Sequence, residues 1–254
     1  MRVKIATTIL SFFVILLISI KSRAEFSCGK EQKWTASFGV HSKDVGLLGN
    51  SINDPMSREI FIVECRNYKF YAGLISQQNL SRGKNAPGSY IKYYIGINPE
   101  IKNVVVDFSY GYAMPFNSEF ENAHEWVLKL SSPKTPLYYL LDYVSGERSG
   151  KIVLGQRIGI SDKFALLEAL QLGNGEKLDI FWDINASVSN GSRHFGTGLT
   201  NLGIRFWLPI KFGTFTLEPY YGYQITMPQF KGKKKEHVSN SNPSWAGLEL
   251  RLTF

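Results

Sequence analysis

Strict alternation of apolar and polar residues is the feature of this sequence that most restricts its fold. Residues 245–254 read WAGLELRLTF, so every second side chain, from Ala246 to Phe254, is apolar. Successive side chains of a strand point to opposite faces, and the pattern therefore predicts a β-strand with one wholly apolar face. Such a strand fits either a soluble sheet packed on a core or a membrane barrel that turns its apolar face to lipid.

The same alternation recurs along the whole chain. Strong segments cover residues 103–112, 152–160, 178–186, 202–210 and 215–225. Weaker ones begin near Trp34, Arg58, Tyr68, Tyr90, Glu125, Leu137 and Phe164. Helical patterns are nearly absent, and no apolar stretch beyond the N-terminus reaches the 18 residues or so of a membrane helix. Any membrane span must therefore consist of strands.

The number of segments conflicts with the rules of barrel topology. The sequence shows thirteen alternating segments, whereas a single-chain bacterial barrel has an even number of strands. Residues 164–170 alternate least, so we place the error between Phe164 and Gly198. We predict an all-β, antiparallel up-and-down transmembrane barrel of 12 strands, with 14 as the alternative.

The polar face of these segments carries charged residues and many glycines. Small residues suit a barrel lumen, because they leave room for water and for charged neighbours. The alternation predicts these lumen-lining residues: Asp107, Lys129, Asp142, Arg157, Asp179, Asp183, Arg205, Glu218, Glu249 and Arg251. The mixture of six acidic and four basic residues predicts no strong ion selectivity. The same residues would equally serve as salt bridges that hold the barrel together.

The first 24 residues have the features of a cleaved secretory signal. Arg2 and Lys4 precede the apolar run 9–20, and Ser22-Arg23-Ala24 offers small residues for cleavage. We therefore predict a signal peptide at residues 1–24 and a barrel domain at residues 25–254. Cleavage removes four basic residues, which lowers the net charge from +8 to +4 (25 basic minus 21 acidic residues). The remaining charge gives no support to a nucleic-acid partner.

Aromatic residues and connection lengths also fit a barrel. Tyrosines and tryptophans recur near predicted strand ends, as expected of interfacial girdles: Tyr93-Tyr94, Tyr138-Tyr139, Tyr220-Tyr221, Trp34, Trp126 and Trp245. The short joints are 66–67, 98–100, 161–163 and 211–213, and the long ones are 42–57, 77–88, 114–123 and 227–244. Bacterial barrels have short periplasmic turns and long outer loops.

On these features, the chain resembles the outer-membrane β-barrel proteins of Gram-negative bacteria. The paired segments 58–64 with 68–76, then 90–97 with 104–112, are similar to the TorF-like porins. The resemblance implies an outer-membrane location, a passive pore for small solutes, and contact with outer-membrane lipid and lipopolysaccharide. It also implies that Phe254 is part of the signal read by the barrel-assembly machinery. A barrel that acts as an adhesin, receptor or structural element remains an alternative.

Two further patterns carry hypotheses of their own. Cys28 and Cys65 would both lie at the periplasmic rim, which makes one disulfide between them a fair expectation in an oxidising compartment. The lysine-rich tract 231–235 is a solvated loop or, on the outer face, a site for lipopolysaccharide phosphates.

An enzyme is the competing class. His237 and Ser239 would share one face of a strand, and a serine beside a histidine base is the minimal activated nucleophile. The segment resembles the His-x-Ser-Asn of lipid A deacylase barrels, and a barrel hydrolase is therefore a second alternative. His41, His124 and His194 lack metal-ligand spacing. Otherwise we predict no catalytic, cofactor-binding or metal-binding residues.

A closed barrel has a simple signature in detergent. Unheated protein should migrate faster on a detergent gel than boiled protein, because the closed sheet stays compact until heat opens it. Equal migration of the two samples, together with solubility of the processed chain without detergent, would contradict the membrane-barrel prediction.

Overall fold

The computed structural model describes residues 32–45, 51–52, 54–83, 86–150, 152–172, 176–192, 196–227 and 242–254. The barrel strands β1 to β12 are, in chain order, Gln32–His41, Met56–Cys65, Phe70–Asn79, Tyr90–Ile97, Val104–Pro115, Ala123–Ser132, Thr135–Gly146, Ile152–Leu172, Glu176–Ser192, Gly196–Trp207, Phe215–Thr226 and Ser244–Thr253. Short strands lie at Asp44–Val45, Ser51–Ile52, Glu100–Ile101 and Ile210–Phe212, and a 3-10 turn at Arg66–Tyr68. Within these ranges, no helix has the length and apolar character needed to cross a membrane.

The strands form one antiparallel sheet that closes on itself. Each barrel strand pairs with the next one in the chain, and β1 pairs with β12 from Thr35 opposite Thr253 to His41 opposite Gly247. Trp34 and Phe254 extend this seam by exchanging two backbone hydrogen bonds, of 3.1 and 3.0 Å. The predicted 12-strand barrel is confirmed. Closure leaves no open sheet edge, which is the condition for a sheet that crosses lipid.

The thirteenth predicted segment belongs to β8. The predicted joint at residues 161–163 is wrong, because Ser161, Asp162 and Lys163 pair in register with Asp183, Trp182 and Phe181 of β9. The strand thus continues past Ile160, which lies opposite Leu137 of β7. Asp162 takes a position on the outer face, in line with Ile158 and Ile160, so the apolar alternation is interrupted there while the pairing with β9 is not. Ser and Asp are frequent in turns, and the tripeptide therefore has the composition of a turn although it lies within a strand. The error lies where the alternation was weakest.

Burial is inverted relative to a soluble protein. The buried hydrophobic residues among those described are only Met56, Cys65 and Ala86. Polar residues form most of the buried set: His41, Ser57, Gln77, Asn79, Ser89, Asn185, Ser187, Ser189, Thr200, Asn201, Glu218, Gln224 and Thr226. Large apolar side chains are exposed on the other face, and Ile158, Ile184 and Leu248 are each about half accessible. An apolar outer face around a polar interior is the arrangement of a barrel in contact with hydrocarbon.

The two ends of the barrel differ. At one end, which we call the turn end, the connections are short: 66–69, 98–103, 133–134 and 208–214. At the other, the loop end, they include residues 42–55, 80–89, 116–122, 147–151 and 227–243. In bacterial barrels the short turns lie in the periplasm, and we therefore expect the turn end to be the periplasmic end.

Cys65 ends β2 at the turn end and is disulfide-bonded. Cys28, the other cysteine of the sequence, lies outside the described residues. The pairing of Cys28 with Cys65 therefore stays a prediction, and so does the signal peptide at residues 1–24. The compact unit that carries the barrel spans Gln32–Phe254.

The path of β8 can be tested by cross-linking. Asp162 lies directly opposite Trp182, and such residues have Cα atoms about 5 Å apart, within the range of a disulfide. We expect the variant Asp162→Cys/Trp182→Cys to form a disulfide in the folded barrel. The control Asp162→Cys/Ile184→Cys is two residues out of register and should cross-link poorly. If mass spectrometry finds equal yields for the two variants, residues 161–163 do not continue the strand.

Candidate functional site: the interior wall of the barrel

Aromatic rings cover glycines on the inner face of the β3–β4 hairpin. Tyr71 lies directly opposite Gly96, and Tyr94 lies directly opposite Gly73. A Cβ atom placed on either glycine would come within 3.0 Å of the opposite tyrosine ring. Each ring therefore occupies the space that a side chain would otherwise fill. The arrangement is reciprocal, since each strand supplies one tyrosine and one glycine two residues later.

The β11–β12 hairpin repeats this arrangement. Tyr220 faces Gly247 and Trp245 faces Gly222, and in both pairs the ring again lies within 3.0 Å of the Cβ position of the glycine. Tyr138 of β7 covers Gly159 of β8 in the same way. We had expected the inner glycines to leave room for water and charged groups. At these five positions the room is taken by aromatic rings from the neighbouring strand.

Some of the aromatic residues predicted to form interfacial girdles lie inside the barrel instead. Consecutive tyrosines must point to opposite faces of a strand. Tyr93 and Tyr221 are each 51% exposed on the outer face, where a girdle belongs. Their neighbours Tyr94 and Tyr220 lie inside, as do Tyr138 and Trp245. Trp34 and Trp126 are on the outer face, where they contact Phe61 and Tyr143 respectively.

Four of the predicted lumen residues form one ionic cluster. Glu218 lies 3.8 Å from Arg205 and 3.6 Å from Arg251, and Arg251 is also 3.2 Å from Glu249. The Arg205 guanidinium stands 5.2 Å from the centre of the Trp207 ring and 4.6 Å from that of Tyr220. Such cation–π contacts hold an arginine in place by its planar faces.

A second cluster lies on the wall formed by β4 to β8. Lys92 makes an ion pair with Glu125, and Asp142 interacts electrostatically with both Glu125 and Lys92. Arg157 interacts electrostatically with Asp142 and donates from Nε to the Ser187 hydroxyl at 3.1 Å. The sequence had indicated Asp142 and Arg157 but not Lys92 and Glu125.

The other predicted residues lie on the inner face with separate contacts. Asp107 accepts a hydrogen bond of 2.5 Å from the Tyr71 hydroxyl. Lys129 stands 5.5 Å from the centre of the Tyr138 ring. Asp183 bonds to the Asn185 amide, and Asp179 makes an ion pair with Lys163.

The predicted set of lumen-lining residues omits several charged residues, although the alternation of their strands places them on the inner face. They share the inner face through their register with the residues described above: Lys33, Arg58, Glu64, Lys92, Glu125 and Lys163. Assigning faces in the weaker segments, which begin near Trp34, Arg58 and Tyr90, would have revealed them.

The interior is packed at the loop end and more accessible toward the turn end. Gln77 and Gln224, each two residues from the loop end of its strand, are 0% and 2% exposed. The connection between β3 and β4 turns inward: Gln77 Nε2 donates to the Gly88 carbonyl at 3.0 Å, and Asn79 N–H donates to the Ser89 hydroxyl at 2.9 Å. The side chains of Glu64 and Arg251, near the turn end, are 33% and 39% exposed. The side chains of the described interior are therefore packed most tightly at the loop end.

The remaining predicted residues have no structural test. His237, Ser239 and the tract 231–235 all lie outside the described residues. The resolved part of the chain contains no cluster of three or more His, Cys, Asp or Glu residues that could hold a metal ion.

Comparison with known protein structures identifies the type of barrel fold. The chain is similar to the NanC porin, with a TM-score of 0.52 and 11% identity over 86% of this chain and 98% of that one. It is also similar to the KdgM porin in complex with disordered oligogalacturonate, with a TM-score of 0.50 and 9% identity over 87% and 99%. The chain has the barrel fold of porins. No family model and no curated protein matches its sequence.

The ring-on-glycine packing makes a prediction about stability. In Gly96→Ala the new methyl group would collide with the Tyr71 ring, and overpacking of this kind costs about 1–3 kcal/mol. In Gly39→Ala, the control, the nearest atoms are the tip of the His41 side chain at 3.3 and 3.4 Å, so the effect should be small. Urea unfolding, followed by the gel shift of the unheated protein, measures both. Equal midpoints for the two variants would show that the ring does not need the glycine.

Proposed function

We propose that this chain is a porin-like channel of the bacterial outer membrane, through which small hydrophilic solutes diffuse passively. The observation that carries the proposal is the inverted burial of the barrel. Its inner face is polar and charged, with Gln77, Asn201 and Gln224 almost fully buried, while its outer face is apolar. An interior of this composition is compatible with water, and an exterior of this composition with lipid.

The size of the barrel supports a channel for small solutes. Barrels of eight strands are filled by their own side chains, and those of 16 to 18 strands hold wide aqueous channels. Twelve strands fall between these cases. Since the inner side chains are packed most tightly at the loop end, we expect that end to set the largest solute that passes.

Charge balance in the interior supports weak ion selectivity. Eight basic residues share the inner face of the twelve barrel strands, among the side chains that the structure describes: Lys33, Arg58, Lys92, Lys129, Arg157, Lys163, Arg205 and Arg251. Eight acidic residues share it with them: Glu64, Asp107, Glu125, Asp142, Asp179, Asp183, Glu218 and Glu249. The KdgM porin forms a complex with oligogalacturonate, a polyanion. A charge-neutral interior does not favour polyanions in the same way, and we therefore propose uncharged or small solutes for this chain.

Conductance in planar lipid bilayers tests the proposal directly. Purified barrel should produce discrete steps of ionic current, and heat-denatured protein should produce none. A folded, heat-modifiable barrel that gives no current would instead support an adhesin, receptor or structural role. Release of fatty acid from lipid A, lost in Ser239→Ala and His237→Ala, would support the hydrolase alternative.

The Arg205 cluster makes a sharper prediction about selectivity. In a salt gradient the wild-type channel should have a reversal potential near zero, because its inner charges balance. Arg205→Gln/Arg251→Gln should shift the potential toward cation preference, and Glu218→Gln/Glu249→Gln should shift it toward anion preference. Lys134→Gln, at an exposed turn, is the control and should leave it unchanged. Identical potentials in all four proteins would mean that ions do not pass this cluster.

A further inference from the structure

The inner wall between β3 and β6 contains a recess of about 160 Å³. Its lining combines two aromatic rings, a hydroxyl and an ion pair: Tyr71, Tyr94, Ser109, Lys92 and Glu125. Gly111 forms part of the wall beside Lys92, where a side chain would come within 3.0 Å of the lysine Cε atom. The recess is thus kept open by a glycine at one end and by rings lying on glycines at the other.

The two rings are fixed before any ligand arrives. Each one rests on the glycine of the opposite strand, and their centres are 6.0 Å apart with the planes inclined at 63°. The Tyr71 hydroxyl is also bonded to Asp107. Rings held in this way present an apolar surface at little entropic cost, because their side-chain freedom is already lost on folding.

The polar groups of the recess carry opposite charges side by side. Lys92 and Glu125 are paired, with 19% and 20% of their side chains exposed. An anionic ligand drawn to Lys92 would meet the repulsion of Glu125 and of its neighbour Asp142. A cationic ligand drawn to Glu125 would meet Lys92. An uncharged ligand with several hydroxyl groups can bond to both at once without a charge penalty.

We propose that this recess binds one pyranose ring of a neutral saccharide. A pyranose has an apolar face of C–H groups, which fits the tyrosine rings, and a rim of hydroxyls, which fits Lys92, Glu125 and Ser109. The inference rests on the proposed channel function, and it assigns a substrate class to the interior.

Current block by neutral glucose oligomers tests the site in the wild-type channel. Maltotriose and maltohexaose should reduce the ionic current reversibly and with saturation. Tyr94→Leu keeps an apolar side chain but removes the aromatic face, and we expect it to weaken the block about fivefold to tenfold, the range of one aromatic contact. The control Tyr138→Leu alters a ring that also lies on a glycine but is outside the recess, and it should leave the block unchanged.

A second variant tests the role of the ion pair. Glu125→Gln leaves Lys92 without its charged partner, so the block by glucose oligomers should weaken while a block by galacturonate oligomers appears. Current without any block by neutral oligomers would overturn the saccharide site and leave the channel intact. Wild-type block by galacturonate alone, or equal block in Tyr94→Leu and Tyr138→Leu, would overturn it as well. Absence of current altogether would instead contradict the channel.

Discussion

The closing of the sheet between β1 and β12 is the constraint on which the rest of the structure depends. In hydrocarbon no water is present to bond a free N–H or C=O group, so a membrane sheet with an open edge would lose several kcal/mol at each unpaired group. The pairs from Thr35–Thr253 to His41–Gly247 remove that edge, and Trp34 with Phe254 extends the seam. Once the ring is closed, alternation assigns each side chain either to lipid or to the interior.

The interior of the barrel must then satisfy two packing requirements that do not arise together in a soluble core. It is lined with charges, which need room and partners, yet its wall must remain tightly paired. The reciprocal pairs Tyr71–Gly96 and Tyr94–Gly73 solve this locally, because each large ring lies flat on the wall instead of projecting into the centre. The same solution in the β11–β12 hairpin places Tyr220 beside Arg205, where the ring helps to fix the guanidinium. Glycine and aromatic positions thus determine where the charged groups can lie.

Much of the fold could be predicted from the sequence, because two-residue alternation is a local property. In segments such as 103–112 and 215–225, the alternation assigns the side chains to the correct faces, and the predicted 12-strand barrel agrees with the structure. The turn predicted at 161–163 failed because polar residues at the end of a membrane segment have the same composition as a turn. The recess was not predictable, since Tyr71 and Gly96 meet only through the register of two strands, which the sequence does not state. Once the register is known, the aromatic-x-Gly sequences 71–73 and 94–96 become recognisable as partners.

The inward turn of residues 86–89 makes the two ends of the barrel interior unequal. Ser89 is almost fully buried at the loop end, while Arg251 near the turn end is well exposed. In the proposed channel, a molecule arriving from the turn end would first meet accessible side chains, whereas one arriving from the loop end would first meet the buried residues Gln77 and Gln224. Entry rates for a bulky molecule would then differ between the two sides of the membrane, even though its equilibrium distribution across the membrane would not.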